Sequence, residues 1–263
     1  MSPDGEGSRR LDQEVAARGL ARSRSHAQEL IRARKVLVDD RVVDRSSTPV
    51  GPDRRIALTG SDEWVSRAAH KLIGALDAVG WGDLGPRALD AGASTGGFTQ
   101  VLLSRGVDQV YAVDVGHDQL APVLRADPRV VARERLNLRE LTLADVDGRP
   151  VDLVVADVSF ISLTLLLPPL FSVLAPDGRA LLMVKPQFEV GRERLGPGGV
   201  VRDAGLRAEA VDAVIRSASG LGWTPTWQGA SGLPGPSGNI EHFVAFERDD
   251  PADRREPKRG PSD

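Results

Sequence analysis

Short apolar runs alternate with stretches of helical periodicity from Ser66 to Phe246. RALDAG, VDQVYAVDV, RVVARERL, VDLVVADVSF and GRALLMVKPQF are rich in Val, Ala and Leu, which predicts five strands. Between them TQVLLSRG, HDQLAPVLRAD and LTLLLPPLFSVL read as helices. Ahead of the first strand, SRAAHKLIGALDAVG carries Leu72, Ile73, Leu76 and Val79 at helical spacing. Strands that stay apolar on both faces and are separated by helices predict a parallel, doubly wound α/β sheet. A long helix over 203–221 leads to WTPTWQGAS and EHFVAFER, a final strand pair that leaves one antiparallel strand on the sheet.

Residues 9–58 have a different pattern and predict a small α+β unit. Leu11 and Val15 lie four apart, with Gly19 as a helix stop. Ser23 or Ser25 can cap a second helix whose inner face is Ala27, Leu30 and Ile31. VLVDDRVV reads as a hairpin with Asp39 and Asp40 at its turn. The expected order is a disordered tail over 1–8, the small domain over 9–58, a linker over 59–65, the larger domain over 66–247 and a disordered tail over 248–263.

Charge sharpens this division. Residues 9–45 hold ten Arg/Lys against six acids, a net +4 in a chain of net charge −3. Arg9, Arg22, Arg24, Arg32, Arg34 and Lys35 therefore form a candidate polyanion-binding handle, although a solvated arginine-rich helix face gives the same count. Cysteine is absent, which excludes disulfides, thiolate metal sites and thiol nucleophiles. The start MSPDGEGSRR has no apolar signal segment, and no apolar run approaches the ~20 residues of a membrane span, so a cytoplasmic protein is expected. Only Lys35, Lys71, Lys185 and Lys258 among the 34 basic residues are lysine. A GC-rich coding bias accounts for most of that skew, yet it makes each lysine worth tracing.

The first predicted strand ends in Asp90-Ala91-Gly92-Ala93-Ser94-Thr95-Gly96-Gly97-Phe98. Glycines at a strand-to-helix turn let a ligand approach the backbone, and the helix start offers free N–H groups. The spacing is neither GxGxxG nor a P-loop. Asp114, at the end of the second strand, can accept hydrogen bonds from both hydroxyls of a ribose, so a nucleoside ligand is expected. Asp157 ends the fourth strand and Lys185 the fifth, which aims both at the same crevice. His26, His70, His117 and His242 have no metal-ligand spacing, and no metal site is expected.

DAGASTGGF, VADVSFIS, VKPQFEVG and LPGPSGNIEHF together resemble the TlyA family of ribosomal RNA 2′-O-methyltransferases, relatives of the FtsJ-type enzymes. The likeness runs from Arg9 to Phe246, and its first 50 residues are similar to the RNA-binding module of ribosomal protein S-four. It implies a Rossmann-like class I methyltransferase sheet, S-adenosylmethionine as cofactor, and ribosomal RNA or a ribosomal subunit as partner, with a cytidine ribose as target. It also implies a catalytic tetrad of Lys71, Asp157, Lys185 and Glu241. The turn Asp90–Phe98, Asp114, Val115, Asn137 and Asp157 would line the cofactor. Family members often carry a basic residue two positions before the linker tryptophan, whereas here Asp62 and Glu63 precede Trp64. An older association of the family with haemolysis finds no membrane-active segment in this sequence.

Chemistry points the same way. Carbon-5 methylation of pyrimidines uses a cysteine, and exocyclic amine methylation an (N/D)PP(Y/F) loop where this chain has DVSF. A ribose hydroxyl stays protonated at neutral pH and needs a base held in line with the methyl donor. Lysine can serve once desolvation and a second cation favour its free amine, and arginine cannot. Lys185 is the expected base, Asp157 and Glu241 its orienters, and Lys71 a positioner. A small-molecule O-methyltransferase and a non-catalytic ribosome assembly factor are the competing readings.

Overall fold

The computed structural model describes residues 8–21, 23–59 and 64–249. Arg22 and the Asp62–Glu63 step of the linker lie outside the described residues, as does most of each expected tail. The chain forms two compact units, Met1–Glu63 and Trp64–Asp263.

In the smaller unit, β1 (Arg9–Arg10) leads directly into α1 (Leu11–Ala17), and α2 (Arg24–Arg32) follows. Ser23 caps α2, its Oγ accepting from the His26 N–H at 3.1 Å. Next come β2 (Val36–Val38), β3 (Arg41–Val42), β4 (Pro49–Val50) and β5 (Ile56–Leu58). Asp39 and Asp40 both take left-handed φ, 47° and 62°, which closes the β2–β3 hairpin with a tight turn. Strand β2 sits between β3 and β5, while β1 pairs with β4. Leu11, Val15, Ala27, Ile31 and Val36 fill the small core. Asp12 is buried beside them. Its carboxylate accepts from Arg10 Nε at 3.0 Å, Arg24 Nε at 2.9 Å and Gln28 Nε2 at 2.7 Å.

The larger unit opens with α3 (Ala68–Val79), which Gly80 ends at a φ of 75°. It continues through β6 (Arg87–Ala91), α4 (Gly97–Ser104), β7 (Gln109–Asp114), α5 (Pro122–Arg125) and β8 (Val130–Glu134). Then follow β9 (Val151–Ala156), α6 (Leu167–Ser172), β10 (Leu174–Val184), α7 (Pro186–Glu189), α8 (Ala204–Gly220), β11 (Trp223–Ala230) and β12 (His242–Arg248). Seven strands form one sheet in the order β11-β12-β10-β9-β6-β7-β8. Pairing is parallel from β10 to β8, and β12 runs against both of its neighbours.

Two expected helices are shorter than their sequence pattern. HDQLAPVLRAD is helical only over Pro122–Arg125, because Asp118 has a left-handed φ of 54° and Pro122 can only begin a helix. LTLLLPPLFSVL splits into a 3₁₀ turn at Leu163–Leu165 and α6, the break falling before Pro168 and Pro169. Alternate strand residues supply two cores. Leu89, Val154, Leu182 and Val244 face α6 and α8, while Ala88, Val155, Leu181 and Phe243 face α3 and α4. Burial on both sides explains why these strands read as continuous apolar runs. Trp64 and Val65 also pack on the second of these cores.

Candidate active site

Strand order reverses between β6 and β9, and in open α/β sheets the crevice above such a switch point holds the ligand. A cavity of about 500 Å³ opens there. Gly92 and Ser94 line it from the turn after β6, Asp114 and Val115 from the end of β7, Asn137 from beyond β8, and Asp157 to Ile161 from the loop after β9. Its size suits a small organic ligand.

Gly92 has a φ of 84°, and a Cβ there would lie 2.7 Å from the Asp157 carbonyl oxygen. Only glycine lets the β6 and β9 turns meet at this floor. The Asp114 carboxylate is fixed by backbone, accepting from Ser94 N–H at 2.9 Å and Gly116 N–H at 2.8 Å. Each oxygen keeps further acceptor capacity. Asn137 Oδ1 accepts from the Arg139 N–H at 3.1 Å, which orients the side chain at the cavity wall. Asp90 is fully buried, and Thr99 Oγ1 donates to its Oδ2 at 2.6 Å while Oδ1 has no partner. Burial raises its carboxyl to about 7, against the Thr99 hydrogen bonds and with help from the charges of Asp157 and Asp114.

Two residues of the glycine turn serve in packing. Ala91, Thr95, Gly96, Gly97 and Phe98 are not part of the cavity wall. A Cβ on Gly97 would crowd Ser66 Oγ and lie 3.1 Å from the Ala69 nitrogen, so this glycine lets α3 pack closely on the start of α4. Phe98 is buried and stacks on Phe243 at 6.1 Å between ring centres.

Two lysine–carboxylate pairs stand on the same edge of the sheet. Lys185 directly follows β10. Its Nζ lies 2.6 Å from Asp157 Oδ1, a close ion pair without hydrogen-bond angles, and donates to Ser159 Oγ at 2.8 Å. Lys71, on the inner face of α3, donates to Glu241 Oε2 at 2.5 Å, and both residues are buried. Val184 pairs with His242, and β10 lies between β9 and β12. Asp157, Lys185 and Glu241 therefore leave three neighbouring strand ends at one edge.

Three residues absent from the sequence expectations join this edge. Ser159 holds Lys185, and Gln119 Oε1 accepts from Ser94 Oγ at 3.1 Å. Phe160 is 92% exposed at the cavity mouth, has a left-handed φ of 66°, and lies 5.3 Å from the Phe188 ring. The DVSF stretch was visible as a loop, but nothing in its composition marked the aromatic as outward-facing. The loop between α7 and α8 and the loop between β11 and β12 are joined by buried Asn239, whose Oδ1 accepts from the Val201 N–H at 2.9 Å and whose Nδ2 donates to the Gly199 carbonyl at 3.1 Å. In the smaller unit Arg9, Arg24, Arg32 and Arg34 are exposed and Lys35 is half-buried. Among the described residues no helix is long and apolar enough to cross a membrane.

A sheet of this order, with a glycine turn and an acidic second turn around a nucleoside-sized cavity, is that of a Rossmann-like class I methyltransferase, accompanied here by a small RNA-binding type of module. The FtsJ-like methyltransferase family matches residues 64–248 and the S4 domain family residues 9–56. The chain belongs to the FtsJ-like methyltransferases and, among them, to the TlyA family. It is 54% identical over 237 residues to the 16S/23S rRNA (cytidine-2′-O)-methyltransferase TlyA of Mycobacterium tuberculosis, covering 89% of this chain and 88% of that protein. It is 36% identical to Hemolysin A of Brachyspira hyodysenteriae, over 90% of this chain and 99% of that protein. The solved structure of a hemolysin-named protein from Streptococcus thermophilus superposes with a TM-score of 0.74 at 34% identity, covering 94% of this chain and 90% of the other. Fold and family imply use of S-adenosylmethionine. The glycine floor at Gly92 and the backbone-fixed Asp114 carboxylate fit such a ligand.

Proposed function

We propose that this chain methylates the 2′-hydroxyl of a cytidine in ribosomal RNA, with S-adenosylmethionine as donor. The observation that carries the reading is the pair of lysine–carboxylate contacts at one sheet edge, Lys185–Asp157 at 2.6 Å and Lys71–Glu241 at 2.5 Å, beside the cavity at the switch point.

Asp114 would hold the ribose hydroxyls of the cofactor, Val115 and Asn137 the region of its base, and Gly92 and Ser94 the approach of its amino-acid end. When bound, S-adenosylmethionine supplies an electrophilic methyl carbon. Lys185, as the free amine, takes the proton of the RNA 2′-hydroxyl at Nζ. Asp157 and Ser159 fix the direction of that nitrogen and stabilise the ammonium it becomes. Glu241, held by Lys71 from α3, orients groups on the neighbouring strand end. Phe160 presents an aromatic face on which a nucleobase can stack at the cavity mouth. Arg9, Arg22, Arg24, Arg32, Arg34 and Lys35 of the S4 domain contact phosphates and dock the RNA.

The test is transfer of tritiated methyl groups to ribosomal subunits from cells lacking the gene, followed by mapping of 2′-O-methyl positions on both subunit RNAs. Gene-dependent 2′-O-methylcytidine is the expected result. Label that stays out of RNA, or sits on a base, overturns the reading.

A further inference from the structure

The loop after β9 and the turn after β10 carry the proposed reacting groups, and three contacts join them in step. Lys185 meets Asp157 and Ser159, the Phe188 ring meets Phe160, and Glu189 meets Ser162 and Leu163. The last contact is the tightest of the three in hydrogen-bond terms. Glu189 Oε2 accepts from Ser162 Oγ at 2.6 Å, and Oε1 accepts from the Leu163 N–H at 2.7 Å. Neither Ser162 nor Glu189 is assigned a role in methyl transfer.

The β9 loop needs such a fastening. Phe160 holds a left-handed backbone that a bulky residue avoids, and with 92% of it exposed its own packing does little to enforce that conformation. Besides the Ser159 and Phe188 contacts, the ends of the loop restrain it. At the near end the Asp157 N–H donates to the Ala91 carbonyl at 3.0 Å. At the far end Ser162 caps the 3₁₀ turn Leu163–Leu165, and Glu189 grips both that serine and the first N–H of the turn. Glu189 is itself anchored. It ends the one-turn helix α7, and the next residue, Val190, is buried against Val201 and Ala210 of the adjoining loop and α8. Burial pushes its carboxyl above the usual carboxylate range, and the two donated hydrogen bonds act against that rise.

We infer that Glu189 is a positioning residue for methyl transfer: by binding Ser162 and Leu163 it sets the β9 loop, with Asp157, Ser159 and Phe160, against the Lys185 turn. The inference rests on the reading of Lys185 as the base. It is independent of how the cofactor or the RNA is held. Misplacement of reacting groups by about 1 Å can lower a rate ~100-fold.

The experiment uses the full chain and compares wild type, Glu189→Ala, Glu189→Gln and Ser162→Ala. Single-turnover methyl transfer to ribosomal subunits is measured beside S-adenosylmethionine affinity by calorimetry and RNA affinity by filter binding. Glu189→Ala is expected to slow transfer roughly 10- to 100-fold with both affinities within about threefold of wild type. Glu189→Gln keeps an oxygen for the Leu163 N–H, while Ser162 Oγ can turn from donor to acceptor, so it recovers most of the rate. Ser162→Ala removes one of the two hydrogen bonds and keeps the one from the Leu163 N–H to Glu189, and slows the same step by a smaller factor, which keeps the test valid if Glu189→Ala folds poorly. Transfer by Glu189→Ala or Ser162→Ala at the wild-type rate overturns the inference. So do losses of cofactor or RNA affinity as large as the loss of rate, or a Glu189→Gln variant as slow as Glu189→Ala. If wild type transfers no methyl group to RNA, the fault lies instead with the proposed function.

Discussion

Lys71 and Glu241 are 170 positions apart in the chain, yet Nζ of one lies 2.5 Å from Oε2 of the other in a buried pair. The contact ties α3, which precedes the sheet, to the start of the last strand. Removing one member of a buried pair leaves an uncompensated charge and costs about 3–5 kcal/mol, whereas replacing both is far milder. Glu241→Ala should therefore destabilise the larger unit by about that amount, and Lys71→Met with Glu241→Gln by clearly less. Urea unfolding followed by tryptophan fluorescence reads this unit alone, because all four tryptophans lie beyond Glu63. Additive effects of the two substitutions would show that the pair is not coupled.

Lys185→Arg keeps the charge beside Asp157 but replaces a group that can lose a proton by one that cannot. Loss of a general base typically lowers the rate by about 10²- to 10⁴-fold. The variant should bind S-adenosylmethionine within about threefold of wild type and transfer almost no label to ribosomal RNA. Turnover near wild type would remove Lys185 from the role of base.

Phe160 combines exposure with a backbone conformation that favours glycine. Stacking of a base on an aromatic ring is worth about 1–3 kcal/mol, so Phe160→Gly should lose roughly 5- to 150-fold in transfer efficiency on RNA. The same change relieves left-handed strain and removes an exposed apolar side chain. The melting temperature should stay level or rise, and cofactor affinity should hold. A drop in stability with unchanged transfer would make the ring a structural element.

The strand ends were legible in the sequence because period and position coincide there. VVADVSF and MVKPQFE each stop being apolar at the strand end, so Asp157, which lines the cavity, and Lys185, which pairs with it, stand out. Gly92 and Asp114, marked in the sequence by a turn and a strand end, both line the cavity. Gly97 and Phe98 belong to the same motif, but Gly97 is used against Ser66 and Ala69 and Phe98 against Phe243, residues that no local pattern links to them. Phe160, Ser159 and Glu189 were missed for the same reason, since each acts across two loops. The lysine scarcity was a usable signal only at Lys71 and Lys185, whose carboxylate partners are distant in sequence. In α5 the pattern overstated the helix, because Asp118 leaves the helical region before Pro122 can start one.

Asp90 gives the larger unit a pH dependence of definite sign. Its folded carboxyl is raised to about 7, so the folded chain holds a proton that the unfolded chain releases near 4. That contribution to stability is fully present below the ordinary carboxylate range and is lost as pH rises through about 7. Asp90→Asn does not titrate. Relative to wild type it should gain stability between pH 5 and about 8, as followed by tryptophan fluorescence in urea. A constant difference across that range would place Asp90 at an ordinary carboxylate value.

Asp12 sends the opposite signal from the smaller unit. The hydrogen bond from Arg10, followed by those from Gln28 and Arg24, holds its carboxyl well below the usual range despite burial. Its stabilising effect is present above the unfolded value, near 4, and is lost as pH falls toward the lower folded value. The two arginines are 43% and 52% exposed at the side chain, so the buried carboxylate fixes them while leaving their outer faces open to phosphate. Charge alone and orientation make contrary predictions for Asp12→Asn. Removing a negative charge strengthens attraction to RNA, whereas freeing both guanidinium groups raises the entropy lost on binding and weakens it. Orientation is expected to dominate. Filter binding to ribosomal RNA should show a loss of roughly 3- to 10-fold at physiological salt, from the one or two side chains that binding must then order. Equal or tighter binding by Asp12→Asn would assign the two arginines to bulk attraction alone.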